Sequence, residues 1–205
     1  MQSDNYTPAS VAAEVKKYDG VRRKQAIGSL VKTLHIDNLD VIASYGEDAA
    51  VIQNGRTALL LAADGIWNKL MEIDPYWAGY CAILVNVHDI AAMGGRPVAM
   101  VDILSSSDDE IMAQVSNGMR DAATAFNVPV VGGHLHPDAP YNVIDVSILG
   151  VAELENVIYS STANVGDSII MAIDLNGRVH PSARMNWDSV TQKSAEVLQK
   201  QLGVM

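Results

Sequence analysis

The 205 residues suffice for one domain of ordinary size, or for one domain and part of another, and with 49% hydrophobic and 19% charged residues they make a core-forming chain rather than a disordered one. A formal net charge of −10, from 24 acidic against 14 basic residues, argues against nucleic acid and anionic membranes as partners, because the one basic cluster, Lys16, Lys17, Arg22, Arg23 and Lys24, is local. A phosphate ligand would find few cations on the protein itself, which points to bound metal ions as their source.

The opening MQSDNYTPAS has neither a basic n-region nor an apolar h-region, so a secretory leader is not expected. Thr7 followed by Pro8 reads as an N-cap with proline at the first helical position, and Asp19-Gly20 is expected to end that helix. A second helix is expected over residues 21–35, with Ala26, Ile27, Leu30, Val31 and Leu34 on one face. Its polar face carries Arg22, Arg23 and Lys24, which are either a solvated surface or a mobile basic element that closes over phosphates.

Residues 49–52 and 57–62 flank Asn54-Gly55, a strong hairpin signal. Acidic turns bound the two strands: Gly46-Glu47-Asp48 before the first and Asp64-Gly65 after the second. The open ends of paired strands are neighbours, so Asp48 and Asp64 are expected at one edge of a sheet. Two carboxylates brought together repel, and a divalent cation is the usual reason to tolerate it.

Residues 80–97, YCAILVNVHDIAAMGGRP, begin as a helix apolar on nearly every side and belong in the core. Asn86 and Asp89, three apart, share one face of it. A buried Asp89 is costly unless a cation compensates it or it caps a neighbouring backbone. Cys81 has no second cysteine to pair with, and its apolar setting makes a reactive thiolate unexpected, which fits a reducing cytoplasm. No apolar run reaches the roughly 18 residues that span a bilayer, because Asn86 and Asp89 interrupt the best candidate.

A strand at 98–104, a helix at 108–126 starting from Ser106-Ser107, a segment at 128–131 running into Gly132-Gly133-His134-Leu135-His136, and a strand at 142–152 follow. The order predicts an α/β (α+β) fold, a mixed and mainly antiparallel sheet with helices on one face. Trp67, Trp77 and Trp187 form no stacking stripe and read as packing residues. A strand at 169–173 and an amphipathic helix at 188–202 are too few to enclose a core, so residues 1–155 are expected to form one domain and 156–205 the opening of a truncated second one.

The set Gly46-Glu47-Asp48-Ala49-Ala50-Val51, Ala63-Asp64-Gly65, residues 85–94 (VNVHDIAAMG), Gly132-Gly133 and Val165-Gly166-Asp167 resembles the AIR synthase superfamily. That group includes aminoimidazole ribonucleotide synthetase, thiamine-monophosphate kinase, selenophosphate synthetase and the hydrogenase maturation factor that dehydrates a carbamoyl group. Within it the chain is most similar to the AIR synthase-related proteins of methanogens, described as a methanogenesis marker. The resemblance implies an N-terminal domain that forms a homodimer, with sheets joined across the two-fold axis and ATP bound near that interface. It also implies that Asp48, Asp64 and Asp89 bind Mg²⁺ on the ATP phosphates, and that Asn86, Gly132, Gly133 and His134 help bind the nucleotide. The activity implied is ATP-dependent phosphoryl transfer to a small-molecule substrate in the cytoplasm, with no catalytic side chain assigned. No GxxxxGK[ST] is present, so this would not be a P-loop site.

The chain departs from the kinases of the group at three places. His134 replaces an acid, Ala62-Ala63 replace hydroxyl residues, and Ser160 stands where an Arg is usual. These departures leave open a non-catalytic nucleotide- or metal-binding maturation factor. His88, His134 and His136 raise a further possibility, a Zn²⁺, Ni²⁺ or Fe²⁺ site. The His134 and His136 pair is expected to converge on one ion only if the glycine-rich stretch bends.

Overall fold

A computed structural model describes residues 6–24, 26–168 and 170 of the chain. It divides into two packing units, Met1–Leu39 and Asp40–Met205. The strand and helix expected at 169–173 and 188–202, with Trp187, lie outside the described residues, apart from Ile170.

In the first unit, α1 (Pro8–Lys17) starts as anticipated: Thr7 and Ser10 exchange capping hydrogen bonds and Pro8 opens the helix. Asp19-Gly20 begins the next helix rather than merely closing this one. The single helix expected over residues 21–35 is two, α2 (Asp19–Lys24) and α3 (Ile27–Leu34). The Ser29 hydroxyl donates back to the Ala26 carbonyl at 2.9 Å, a local bond of the kind that competes with a continuous helix. No residue of these three helices is buried, so no packed face forces them into register.

The second unit is one six-stranded sheet in the order β1-β2-β3-β6-β4-β5. The strands are β1 (Val41–Ala43), β2 (Ala50–Asn54), β3 (Thr57–Gly65), β4 (Arg96–Ser105), β5 (Val130–His136) and β6 (Val143–Glu153). Every neighbouring pair is antiparallel except β4 with β5, which bears out the mixed, mainly antiparallel expectation. The hairpin turn sits one residue later than its sequence signal. Asn54 pairs with Thr57, leaving Gly55 (φ 64°) and Arg56 as the loop, because a two-residue hairpin needs a positive φ at its first central position and glycine adopts it without strain.

Helices α4 (Asn68–Ile73), α5 (Pro75–Ala92) and α6 (Asp109–Phe126) complete the unit. The central helix begins five residues before the apolar run that signals it, because Asp74 accepts the Trp77 N–H as N-cap and Pro75 occupies N1. Helix α6 takes Asp108 as its cap, while Ser106, buried, donates to Asn142 Oδ1 at 2.7 Å. Buried residues of α5, among them Ile83, Leu84, Val87 and Ile90, pack on the inward row Leu60, Met100, Ile144 and Ile148 of the sheet. Helix α6 rests on α5 far more than on the sheet. The two helices approach through facing glycines: a Cβ on Gly79 would overlap the Val115 carbonyl, and one on Gly118 would overlap the Tyr76 carbonyl.

Among the described residues of this unit, no helix covers the opposite face of the sheet. Leu61, Val101, Ile103 and Leu149 lie on it at 37–48% exposure, flanked at one end by Asp145, His134 and His136.

Candidate functional site

Strand β2 starts at Ala50 opposite Leu61, so Asp48, two residues earlier, and Asp64, three residues later, emerge at the same end of the hairpin. Both are exposed. Asp64 is held there by α5. The Asn86 amide accepts the Asp64 backbone N–H at 3.1 Å and donates to the Asp64 carbonyl at 3.3 Å, with a second donation to Ala82 O at 2.8 Å. Asn86 is fully buried and its amide is spent on backbone, so it positions Asp64 from behind rather than facing a ligand. Hence the polar residue in the most apolar helix has a partner that no local pattern could reveal, a peptide group 22 residues away.

Asp89 lies one helical turn beyond Asn86. It is half-buried, not deep in the core, and makes an interaction of its own. Beside it, partial desolvation lowers the His88 pKa and favours the neutral ring. Burial pushes the Cys81 thiol up to about 12, which makes it inert as a nucleophile, as its setting suggests.

Among the described residues no three His, Cys, Asp or Glu side chains form a group that could hold a metal ion. Asp48, Asp64 and Asp89 are therefore not a ready-made cage. Their chemistry still suits Mg²⁺, which takes hard oxygen donors, keeps several waters and is usually held by one or two carboxylates together with phosphate oxygens. Exposed carboxylates fit that mode better than a closed site would.

Gly132, Gly133 and His134 are not brought to Asp48 and Asp64 within one chain. They lie on β5, with β6 and β4 between it and β3, roughly 14 Å across the sheet. The glycine at 133 has a different reason from phosphate approach: a Cβ there would overlap the carboxylate and carbonyl of Asp102 on β4. His134 and His136 need no bend to meet. Residues i and i+2 of a strand share a face, and the two rings stand edge-to-face with centroids 4.6 Å apart. Neither they nor His88 belong to a group of three potential ligands among the described residues.

Sequence reasoning gave no role to two carboxylates, Glu47 and Asp102. Glu47 Oε2 accepts the Ser160 N–H at 2.9 Å, and Ile158 N–H bonds the Met93 carbonyl at 3.1 Å, so the chain leaving β6 is tied to the Asp48 loop and to the end of α5. Asp102 points to the helix side of β4, in the alternation Met100, Asp102, Leu104. A charge at an inward strand position was the available signal.

The AIR synthase related protein N-terminal domain family matches residues 46–152. Protein MJ0640 of Methanocaldococcus jannaschii is 46% identical over 200 residues, 95% of this chain and 62% of that protein. Protein sll0787 of Synechocystis is 44% identical over 155 residues, 76% of this chain and 48% of that one. The chain thus spans between about half and three fifths of the length of these relatives. The structure of AaThiL complexed with AMPPCP and TMP superposes with a TM-score of 0.59 at 26% identity, covering 70% of this chain and 45% of that one. No helix among the described residues is long and apolar enough to cross a membrane.

Proposed function

The chain belongs to the AIR synthase related family, and from that premise we propose that it binds ATP with Mg²⁺ at Asp48, Asp64 and Asp89 and transfers a phosphoryl group to a small-molecule substrate. The observation that carries this reading is the Asn86 clamp. A buried amide spends its hydrogen bonds on fixing the backbone of one exposed aspartate, beside a loop that presents another. Such an arrangement, beyond what it adds to stability, fixes an exposed carboxylate in place at the end of the hairpin. It makes sense for holding a cation. The relative solved with AMPPCP, an ATP analogue, supports the choice of nucleotide.

In this reading Asp48, Asp64 and Asp89 would hold the ion, and Asn86 keeps Asp64 in place. Mg²⁺, when bound, neutralises the triphosphate and the charge that develops on the transferring group. Calorimetric titration of ATP with and without Mg²⁺ tests this. Binding should require Mg²⁺, and Asp48→Asn and Asp64→Asn should each weaken it by at least about tenfold, the scale of losing one ligand or its support. Equal binding in excess chelator, or unchanged binding in both variants, sinks the assignment. Binding with no ADP released in the presence of any small-molecule acceptor would select the non-catalytic alternative.

The uncovered sheet face supports a homodimer. Leu61, Val101, Ile103 and Leu149 form an apolar patch on neighbouring strands, the kind of surface that marks an interaction site. Sedimentation at micromolar concentration is expected to give a dimer, and Val101→Glu a monomer. A wild-type monomer would remove this part of the reading.

A further inference from the structure

A cavity of about 640 Å³ opens between α6, β4 and the start of β5, within the size range of small-molecule sites. Among the described residues of this unit, α6 leans on α5 and leaves the helix side of the sheet's β4–β5 edge open. Leu104, Met119, Ala123, Val128 and Val130 give the cavity apolar walls. It is separate from the candidate nucleotide site: β6 intervenes between β3 and β4, so Asp64 and Asp102, in one inward row across Val146, stand roughly 10 Å apart.

Asp102 is the acid in this cavity. Among the described residues no other residue donates a hydrogen bond to its carboxylate, and desolvation raises its pKa. Its row neighbours are Val146 on β6 and Gly133 on β5, neither of which carries charge. The lack of a side chain at 133 keeps the space the carboxylate fills. From α6 the charged neighbour is Arg120, whose guanidinium is already engaged with Asp121 Oδ1 at 2.8–2.9 Å and with Asn117 Oδ1 at 2.9 Å. The same wall includes Thr124 and Asn127 at the carboxyl end of α6, whose last turn contains no basic residue to offset the negative end of the helix dipole. The cavity therefore has apolar walls and one carboxylate short of a donor, while Arg120, the cation in its lining, is engaged with Asp121.

We propose that this cavity binds a small organic cation, a primary ammonium on an apolar body, with the ammonium donating to the Asp102 carboxylate. The apolar body covers Leu104, Met119 and Val130, and the charged head meets the Asp102 carboxylate and the carboxyl end of α6. Charge-assisted bonds of this kind are stronger than neutral ones, so the ligand is selected by its charge and not by apolar contact alone.

The test uses the full chain with 2-phenylethylammonium and its neutral counterpart 2-phenylethanol, followed by calorimetry and thermal unfolding. The ammonium should bind saturably, at least about tenfold tighter than the alcohol, in keeping with one charged hydrogen bond, and should raise Tm. Asp102→Asn keeps the shape of the side chain. It should fold with an unliganded Tm no lower than that of the wild type, because it removes an uncompensated charge, and should lose the tenfold preference. Equal affinity for the two probes overturns the proposal, since the cavity would then be an apolar groove only. So does a preference that survives in Asp102→Asn, which would place the cation elsewhere. Absence of saturable binding by either probe at millimolar concentration overturns it as well.

Discussion

Gly118→Ala is expected to cost the second unit about 2–4 kcal/mol, enough to leave a domain of ordinary stability largely unfolded at moderate denaturant. Alanine in the middle of an exposed helix would ordinarily stabilise it by about 1 kcal/mol relative to glycine. Here the added methyl would overlap the Tyr76 carbonyl and stand 2.8 Å from the Tyr80 amide nitrogen. Both obstacles are backbone, so no rotamer change relieves them and α6 must move away from α5. Because α6 has few contacts with the sheet, that movement surrenders most of what holds it. Its losses include burial of Val115, Met119 and Ala122 and the Tyr76 hydroxyl's bond to Asp121 Oδ2 at 2.9 Å. Gly28→Ala is the control, since a Cβ there meets nothing within 4 Å and the change should be neutral or mildly stabilising. Denaturant midpoints decide the matter. A Gly118→Ala midpoint equal to that of the wild type would mean the helices do not cross at this notch.

Asn86→Ala should show two losses at once. The first is about 1–3 kcal/mol of stability, because the partly buried Asp64 N–H and C=O lose their partner amide and the fully buried Asn86 side chain is removed. The second is a roughly 10–100-fold weaker response to Mg²⁺·ATP, the usual scale for removing a group that orients a ligand. Asp64→Asn separates the two effects. It should keep stability near that of the wild type, since the Asp64 side chain is exposed and, among the described residues, accepts a hydrogen bond only from the adjacent Gly65 N–H, and yet lose metal-dependent binding. If Asn86→Ala weakens nucleotide binding with no change in stability, the amide contacts the ligand directly and the clamp described here is not its role.

Much of this architecture could be read from residue order. The apolar helix with Asn86, His88 and Asp89, the hairpin around Gly55 and the long alternating strand at 143–153 are periodic over enough residues to declare themselves. What escaped was short or distant. Strand β1 has three residues and α4 six, too few for a period to show. The Asn86 clamp joins a side chain to a backbone 22 residues away, and the Gly79–Gly118 notch joins two helices; neither leaves a trace in local sequence. The separation of Gly132-Gly133-His134 from the aspartates was set by strand order, with β6 inserted between β3 and β4. Motif order along the chain carries no information about that. The His134 and His136 pair was misjudged by parity alone, since the two-residue repeat of a strand puts both rings on one face.

The anchorage of Ser160 to Glu47 also sets how mechanical force travels. The polypeptide reaches Ser160 with Val157 and Tyr159 seated against the hydrophobic core and Ile158 bonded to the end of α5, and at Ser160 a hydrogen bond of 2.9 Å adds a tie to the residue next to Asp48. A tug at that point is therefore divided between the interior and the aspartate loop, and the rim of the hairpin takes up part of the tension.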